Sequence, residues 1–188
     1  VAANQYLSAA DSASLSLTGD LSLECWVQFD TTPASGAFYA VLAKWDNVQG
    51  NNKGFKFGLW NNAGTLQIAF FKSPNGSTDH AASVNWSPTT GTWYHIAVTK
   101  SSSTVKFYVD GTQQGTDQTL TDATIFDNAR VFQIGGKDAP ENVNNDNDGK
   151  VDDVRIWNTV RTATQIADNR SVELVGDETG LVAYWPFE

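Results

Sequence analysis

The chain has 188 residues, 40% of them hydrophobic, with seven Trp, five Tyr and ten Phe. That composition excludes disorder, and the length suffices to bury a core without staples. The formal net charge is −9, from sixteen Asp and five Glu against 12 Lys and Arg, which argues against a nucleic-acid backbone and against an anionic membrane surface. Acidity of this kind suits calcium, a hard cation that takes oxygen ligands, and equally suits a plain solubilising surface.

Taken in chain order, the elements are strands. "LSLECWVQF" (21–29) sets Leu21, Leu23, Cys25, Val27 and Phe29 on one face and Ser22, Glu24 and Gln28 on the other. Cys25 is the one cysteine, so no intrachain disulfide forms, and its place in this run predicts a buried, inert thiol. "GFKFGLW" (54–60) alternates Phe55, Phe57 and Leu59; the turn "NNAG" then joins it to "TLQIAFFK" (65–72) as a hairpin. "TWYHIAVTK" (92–100) and "TVKFYVDG" (104–111) form a second hairpin across Ser101–Ser103. "ARVFQIGG" (129–136), "KVDDVRIW" (150–157) and "GLVAYWPF" (180–187) supply later strands. The one helix expected is "TATQIADN" (162–169), with Thr162 as N-cap and Gln165 closing a capping box.

Many short strands with Gly, Asn and Ser turns predict an all-β fold, a jelly-roll sandwich of two antiparallel sheets, with one short helix near 162–169. The chain reads as a single domain over 1–188 without repeat or linker, a module from a larger protein whose other domains would be its neighbours. The stretch 1–188 reads without a signal peptide or an apolar run near 18 residues, as expected of a module cut from a longer chain with its targeting segment lost.

"NNDNDGKVDD" (144–153) matches the first half of an EF-hand loop at Asn144, Asp146, Asp148 and Gly149. The twelfth position is Arg155, where a bidentate acid is required, and the following residues read as a strand, so an EF-hand is not expected. Either a calcium loop at the sandwich rim or a solvated turn remains.

Several stretches together carry a resemblance: "YLSAADSASLSLTGDLSLECWVQF", "GTWYHIAVTKSSSTVKFYVDGTQQG", "FQIGG", "GKVDDVRIWNTVRTATQIADN" and "GLVAYWPFE". In this order they resemble a laminin G-like domain of the concanavalin A-like superfamily. The resemblance implies a sandwich of one convex and one concave sheet. It also implies a non-catalytic, extracellular or cell-surface module that binds glycans or proteins, often with calcium.

The same resemblance extends to pentraxins and implies metal ligands. An Asp-Asn pair after an early strand falls here on Asp46 and Asn47 of "LAKWDNVQG". A later loop, "GGKDAPENVNNDND", offers Asp138, Glu141, Asn142, Asn144 and Asp146, but not the pentraxin run of acids in register, and Lys137 sits where a neutral or acidic residue would serve better. By likeness to glucanases of the superfamily, Asp152 is a candidate for a second, structural calcium, with Asp20 weaker; the alternative is that Asp152 pairs with Arg155 or Arg130.

Catalysis is not expected. The glucanases of this superfamily carry E-x-D-x-x-E, and none of the five Glu begins such a run. A lyase needs a His–Tyr–Arg constellation; of the two His, His95 reads as structural and His80 as loop or strand edge.

A sugar ring offers an apolar face and polar edges, so aromatic side chains beside amides and acids are the candidates to bind it. Trp60 falls on the face of Lys56, opposite Phe55 and Phe57; Trp45 adjoins Asp46 and Asn47; Trp86 lies in "SVNWSP". For each the alternative is core packing. The expectation is a calcium-binding, lectin-like module with a glycan or glycoprotein ligand. Its rivals are a protein–protein adhesion or spacer module, with calcium only stapling a rim loop, and a glycoside-active enzyme with an unrecognised site.

Overall fold

The computed structural model describes residues 6–47, 50, 52–136 and 148–187. The strands are β1 (Leu7–Ala9), β2 (Leu21–Phe29), β3 (Phe38–Lys44), β4 (Lys53–Asn62), β5 (Thr65–Gly76) and β6 (His80–Asn85). They continue as β7 (Trp93–Ser101), β8 (Thr104–Val109), β9 (Thr112–Thr119), β10 (Phe132–Ile134), β11 (Gly149–Trp157) and β12 (Leu181–Trp185). The helix α1 spans Ala163–Asn169. Six strands form each antiparallel sheet, ordered β1-β10-β3-β4-β5-β6 in the first and β12-β11-β2-β7-β8-β9 in the second.

The alternation read from the sequence builds the core. Leu21, Leu23, Cys25, Val27 and Phe29 of β2 are fully buried between the sheets, against Phe55, Phe57 and Leu59 of β4 and Ile96 and Val98 of β7. Phe57 of the first sheet stacks on Phe107 of the second at 6.5 Å between centroids. Cys25 is a free thiol, and burial pushes its pKa up.

The polar face of β2 is buried as well. A strand with one alternating face is expected to be half-wet, yet Ser22 and Glu24 are enclosed. The chain after β11 returns over this face: Ser22 Oγ donates to the Thr159 carbonyl at 2.8 Å, and the Arg161 N–H donates to Ser22 Oγ at 2.8 Å. Trp157 Nε1 donates to Glu24 at 2.6 Å, so the buried carboxylate is partnered on one oxygen. Ile166 of α1 packs onto Ala97 and Tyr108 of the second sheet.

The helix begins as its sequence dictates. Thr162 Oγ1 accepts from the Gln165 N–H, and the Gln165 side chain accepts from the Thr162 N–H. Gly58 is required by close approach: a Cβ there would stand 2.0 Å from the Tyr39 carbonyl oxygen. That contact sits beside the irregular register of β3 between Ala40 and Leu42.

Candidate functional site

The outer face of the first sheet, turned away from the second, is set by strand parity. Register pairs Phe38 with Trp60, Ala40 with Gly58 and Ala43 with Lys56 across β3 and β4. It pairs Lys56 with Phe71, Gly58 with Ala69 and Trp60 with Gln67 across β4 and β5. Ala81, Ser83 and Asn85 of β6 complete the row opposite Phe71, Ala69 and Gln67. Small residues thus run across the middle of this face, with aromatic side chains along it.

The two ends of the face differ. At one end Lys56 is buried, its Nζ 4.8 Å from the Phe38 ring centre, 4.6 Å from Trp45 and 4.5 Å from Phe71. Trp45 is 1% exposed. Covered by Lys56 and bonded through Nε1 to Asn47 Oδ1 at 2.9 Å, it has no open ring face. The other end is accessible. Trp60 is half-buried, set edge-to-face on Phe71 with centroids 5.2 Å apart. Beside it Ser83 Oγ donates to Gln67 Oε1 at 3.0 Å, and Gln67 Nε2 donates to Asn85 Oδ1 at 2.9 Å. Trp86 belongs elsewhere: it packs edge-on to Phe29 and Tyr94 against the core between the sheets. Of the three tryptophans named from the sequence, the accessible outer face therefore holds Trp60 alone.

Of the expected metal ligands, Asp46, Asn47 and Asp152 lie within the described residues. Asp46 is buried, its Oδ2 3.1 Å from Arg130 Nη2, and Asn47 accepts from Trp45. Asp138, Glu141, Asn144 and Asp146, with Asn142 and Lys137, lie outside the described residues. Asp152 is half-buried and accepts from the Asp153 N–H at 2.8 Å. Arg155 pairs with Asp153, where Arg155 Nε donates at 3.1 Å, and not with Asp152. Asp20 accepts from the Ser102 N–H at 2.6 Å and braces a hairpin turn. Asp148 accepts from Thr31 Oγ1 at 2.7 Å.

Among the described residues no group of three acidic, His or Cys side chains is placed to hold a metal. Asp46 and Asn47 bring two oxygens to one end of β3, short of the six to eight calcium takes, and an arginine already offsets the Asp46 charge. The other expected ligands, at 138–146, lie outside the described residues.

The two histidines sit in different surroundings. His95 is fully buried, edge-on to Trp26 at 5.6 Å, with Nε2 3.5 Å from Glu24 Oε2 and no hydrogen bond to either ring nitrogen among the described residues. Burial first, then Arg155 and Arg170, lowers its pKa to about 3, so the ring is neutral and its closeness to Glu24 is not an ion pair. The sequence suggests a satisfied structural histidine; the ring is buried, yet neither nitrogen is bonded among the described residues. His80 opens β6, its Nδ1 2.9 Å from Asp122.

A cleft that the sequence did not reveal lies on the second sheet, where Trp26, Tyr184 and Pro186 meet Asp152, Asp153 and Glu173. Another lies between β7, β8 and the 160–163 segment. Each joins residues more than 50 positions apart, which no local pattern signals.

Comparison with curated proteins finds no match. Among solved structures, the chain is similar to a Bacteroides ovatus protein named for a proposed carbohydrate-binding role, at 16% identity and a TM-score of 0.72. The alignment covers 96% of this chain and 48% of that one, so the chain spans about half the length of that relative. It is similar to a heptameric pentraxin from Limulus polyphemus, at 15% identity and a TM-score of 0.59, over 84% of this chain and 72% of that one. It is similar also to domain 4 of an extracellular arabinanase from Geobacillus stearothermophilus, solved with arabinotriose, at 16% identity and a TM-score of 0.58, over 87% of this chain and 80% of that one. These likenesses establish the fold. A family model described as the concanavalin A-like lectin/glucanases superfamily, of the laminin G type, matches residues 2–167, and the chain belongs to that family.

Proposed function

We propose that the chain is a non-catalytic carbohydrate-binding module of an extracellular or cell-surface protein, and that a glycan lies on the accessible end of the first sheet's outer face. The observation that carries this reading is Trp60. A half-buried indole stands beside a floor of small residues, with the amides of Gln67 and Asn85 and the hydroxyl of Ser83 in one hydrogen-bonded row. A pyranose needs an aromatic surface for its apolar face and such groups for its hydroxyls. The neighbours named for carbohydrate binding or solved with an oligosaccharide support the choice of ligand. Among the described residues no helix is long and apolar enough to cross a membrane. The fraction of the Bacteroides protein covered supports partner domains in a longer chain.

Calcium is the proposed accessory ion, taking its first oxygens from Asp46 and Asn47. Asp152 has its one described bond within its own strand and is the weaker candidate.

The test is a glycan array read with calcium and with EDTA, for the parent and Trp60→Ala. The expected result is saturable binding to a subset of glycans, weakened about tenfold or more in Trp60→Ala, since stacked aromatic contacts dominate such sites. Undiminished binding by Trp60→Ala would remove this face from the proposal. No glycan bound under either condition would leave adhesion or spacing as the function.

A further inference from the structure

Beyond that reading, we propose a second binding site on the opposite sheet, specific for a sugar residue that carries an anionic group. The cleft between β7, β8 and residues 160–163 has a volume of about 320 Å³, at the small end of ligand pockets and suited to a single ring.

Its chemistry is unlike the rest of the molecule. In a chain of net charge −9, two cations, Lys106 and Arg161, face one small cleft. Arg161 sits over Trp157, its guanidinium carbon 3.9 Å from the ring centre. Its Nε is buried with no hydrogen-bond partner, and its side chain forms no ion pair among the described residues. A partly buried guanidinium N–H left unbonded is costly. Burial pushes its pKa down and Arg155 adds to that shift, while the Glu24 and Glu178 carboxylates oppose it. The indole beneath limits where the guanidinium can move, and a guanidinium receives a carboxylate or sulfate through parallel N–H bonds.

The floor supplies the rest. Thr99 is 2% exposed and Tyr108 is 3% exposed, and both line the cleft. Neither side-chain hydroxyl has a hydrogen-bond partner among the described residues. Their hydroxyls border the cleft beside the guanidinium, where they can bond the hydroxyls of a ligand. Lys106 on the rim is held by Asp117 at 3.2 Å, with both side chains well exposed. An exposed pair of that kind contributes little, so the ammonium can turn to an incoming anion at small cost. Gln113 adds an amide at the mouth. Together these groups complement an oxyanion flanked by hydroxyls, which is the chemistry of a uronic acid or a sulfated sugar.

The site needs neither calcium nor Trp60, so it is tested in EDTA. Amide chemical shifts of the whole chain are followed during titration, at constant ionic strength, with sodium glucuronate, glucose 6-sulfate, glucose and sodium sulfate. The expected result is saturable shifts at residues 99–113 and 158–165 with glucuronate or glucose 6-sulfate, whichever binds tighter naming the anion. Glucose should bind about tenfold more weakly or not at all. Arg161→Gln should weaken the acidic sugar about tenfold or more, as expected for a charge-assisted bond, and Lys106→Gln several-fold. Should Arg161→Gln fail to fold, Lys106→Gln on the exposed rim and the glucose comparison still decide. Trp60→Ala should bind the acidic sugar as the parent does. Equal shifts with sodium sulfate, meaning an adventitious ion only, would overturn the proposal. So would equal binding of glucose, or shifts that do not saturate.

Discussion

His95 is a residue whose surroundings fix its charge. It faces Glu24 on β2, Trp26 beside it, Arg155 on β11 and Arg170 after α1. Its folded pKa, about 3, lies below the 6.5 of an exposed imidazole, and burial is the main cause. Below pH 6.5 the unfolded chain takes up a proton that the folded chain refuses, so stability falls as pH falls from 6.5 toward 3. By pH 5 this costs about 2 kcal/mol. Glu24 acts in the other direction, because burial raises its pKa and the folded state keeps its proton to higher pH. The His95 share is therefore read by difference. Chemical denaturation at pH 7 and pH 5 should show the parent losing about 2 kcal/mol more than His95→Gln does; parallel losses would mean that another group governs the acid limb. Trp60 poses the residue-scale question for binding. Its side was legible from parity with Lys56 in "FKFGLW", whereas the burial of Trp45 depends on Lys56 lying over its ring and on the cluster it shares with Phe38, which no local pattern states.

At the scale of elements, two substitutions separate a cap from a close approach. Thr162→Ala removes the Oγ1 acceptor and the capping box of α1 and should cost about 1 kcal/mol by urea denaturation. Gly58→Ala should cost more, because its Cβ would meet the Tyr39 carbonyl inside contact distance and force β3 and β4 apart. If the two cost the same, the register irregularity of β3 is soft. The hairpin β4–β5 and the pair β7–β8 were legible because each strand alternates and each turn carries Gly, Asn or Ser. Among the strands, β3 was harder to see: "FYAVLAK" is buried on both sides and interrupted by its own irregularity, so no period of two survives. The polar edge strand "TQQGTDQT" has no apolar face to betray it. The burial of Ser22 and Glu24 is set by residues more than 130 positions later, beyond the reach of any window.

At the scale of the molecule, calcium is a question of mass action: an ion that binds only the folded chain must raise the melting temperature. Melting in millimolar calcium and in EDTA should show a rise of several degrees for the parent, mostly lost in Asp46→Ala. A rise that survives Asp46→Ala moves the ion away from β3, toward Asp152 or the 144–148 loop. The absence of any shift leaves the acids as turn formers and solubilisers. The architecture also equips the chain with a gauge of its own opening. Cys25 is the one thiol in the sequence and sits fully enclosed at the centre of β2. A thiol-specific reagent such as a maleimide or an aromatic disulfide can reach it only when the two sheets part, because only exposed thiolate reacts. The rate at which one equivalent of label enters the folded protein therefore clocks the separation of the sheets. Glycan, calcium or an acidic sugar should each slow that clock in proportion to how firmly it holds the sandwich shut, giving a ligand assay that requires no engineered probe.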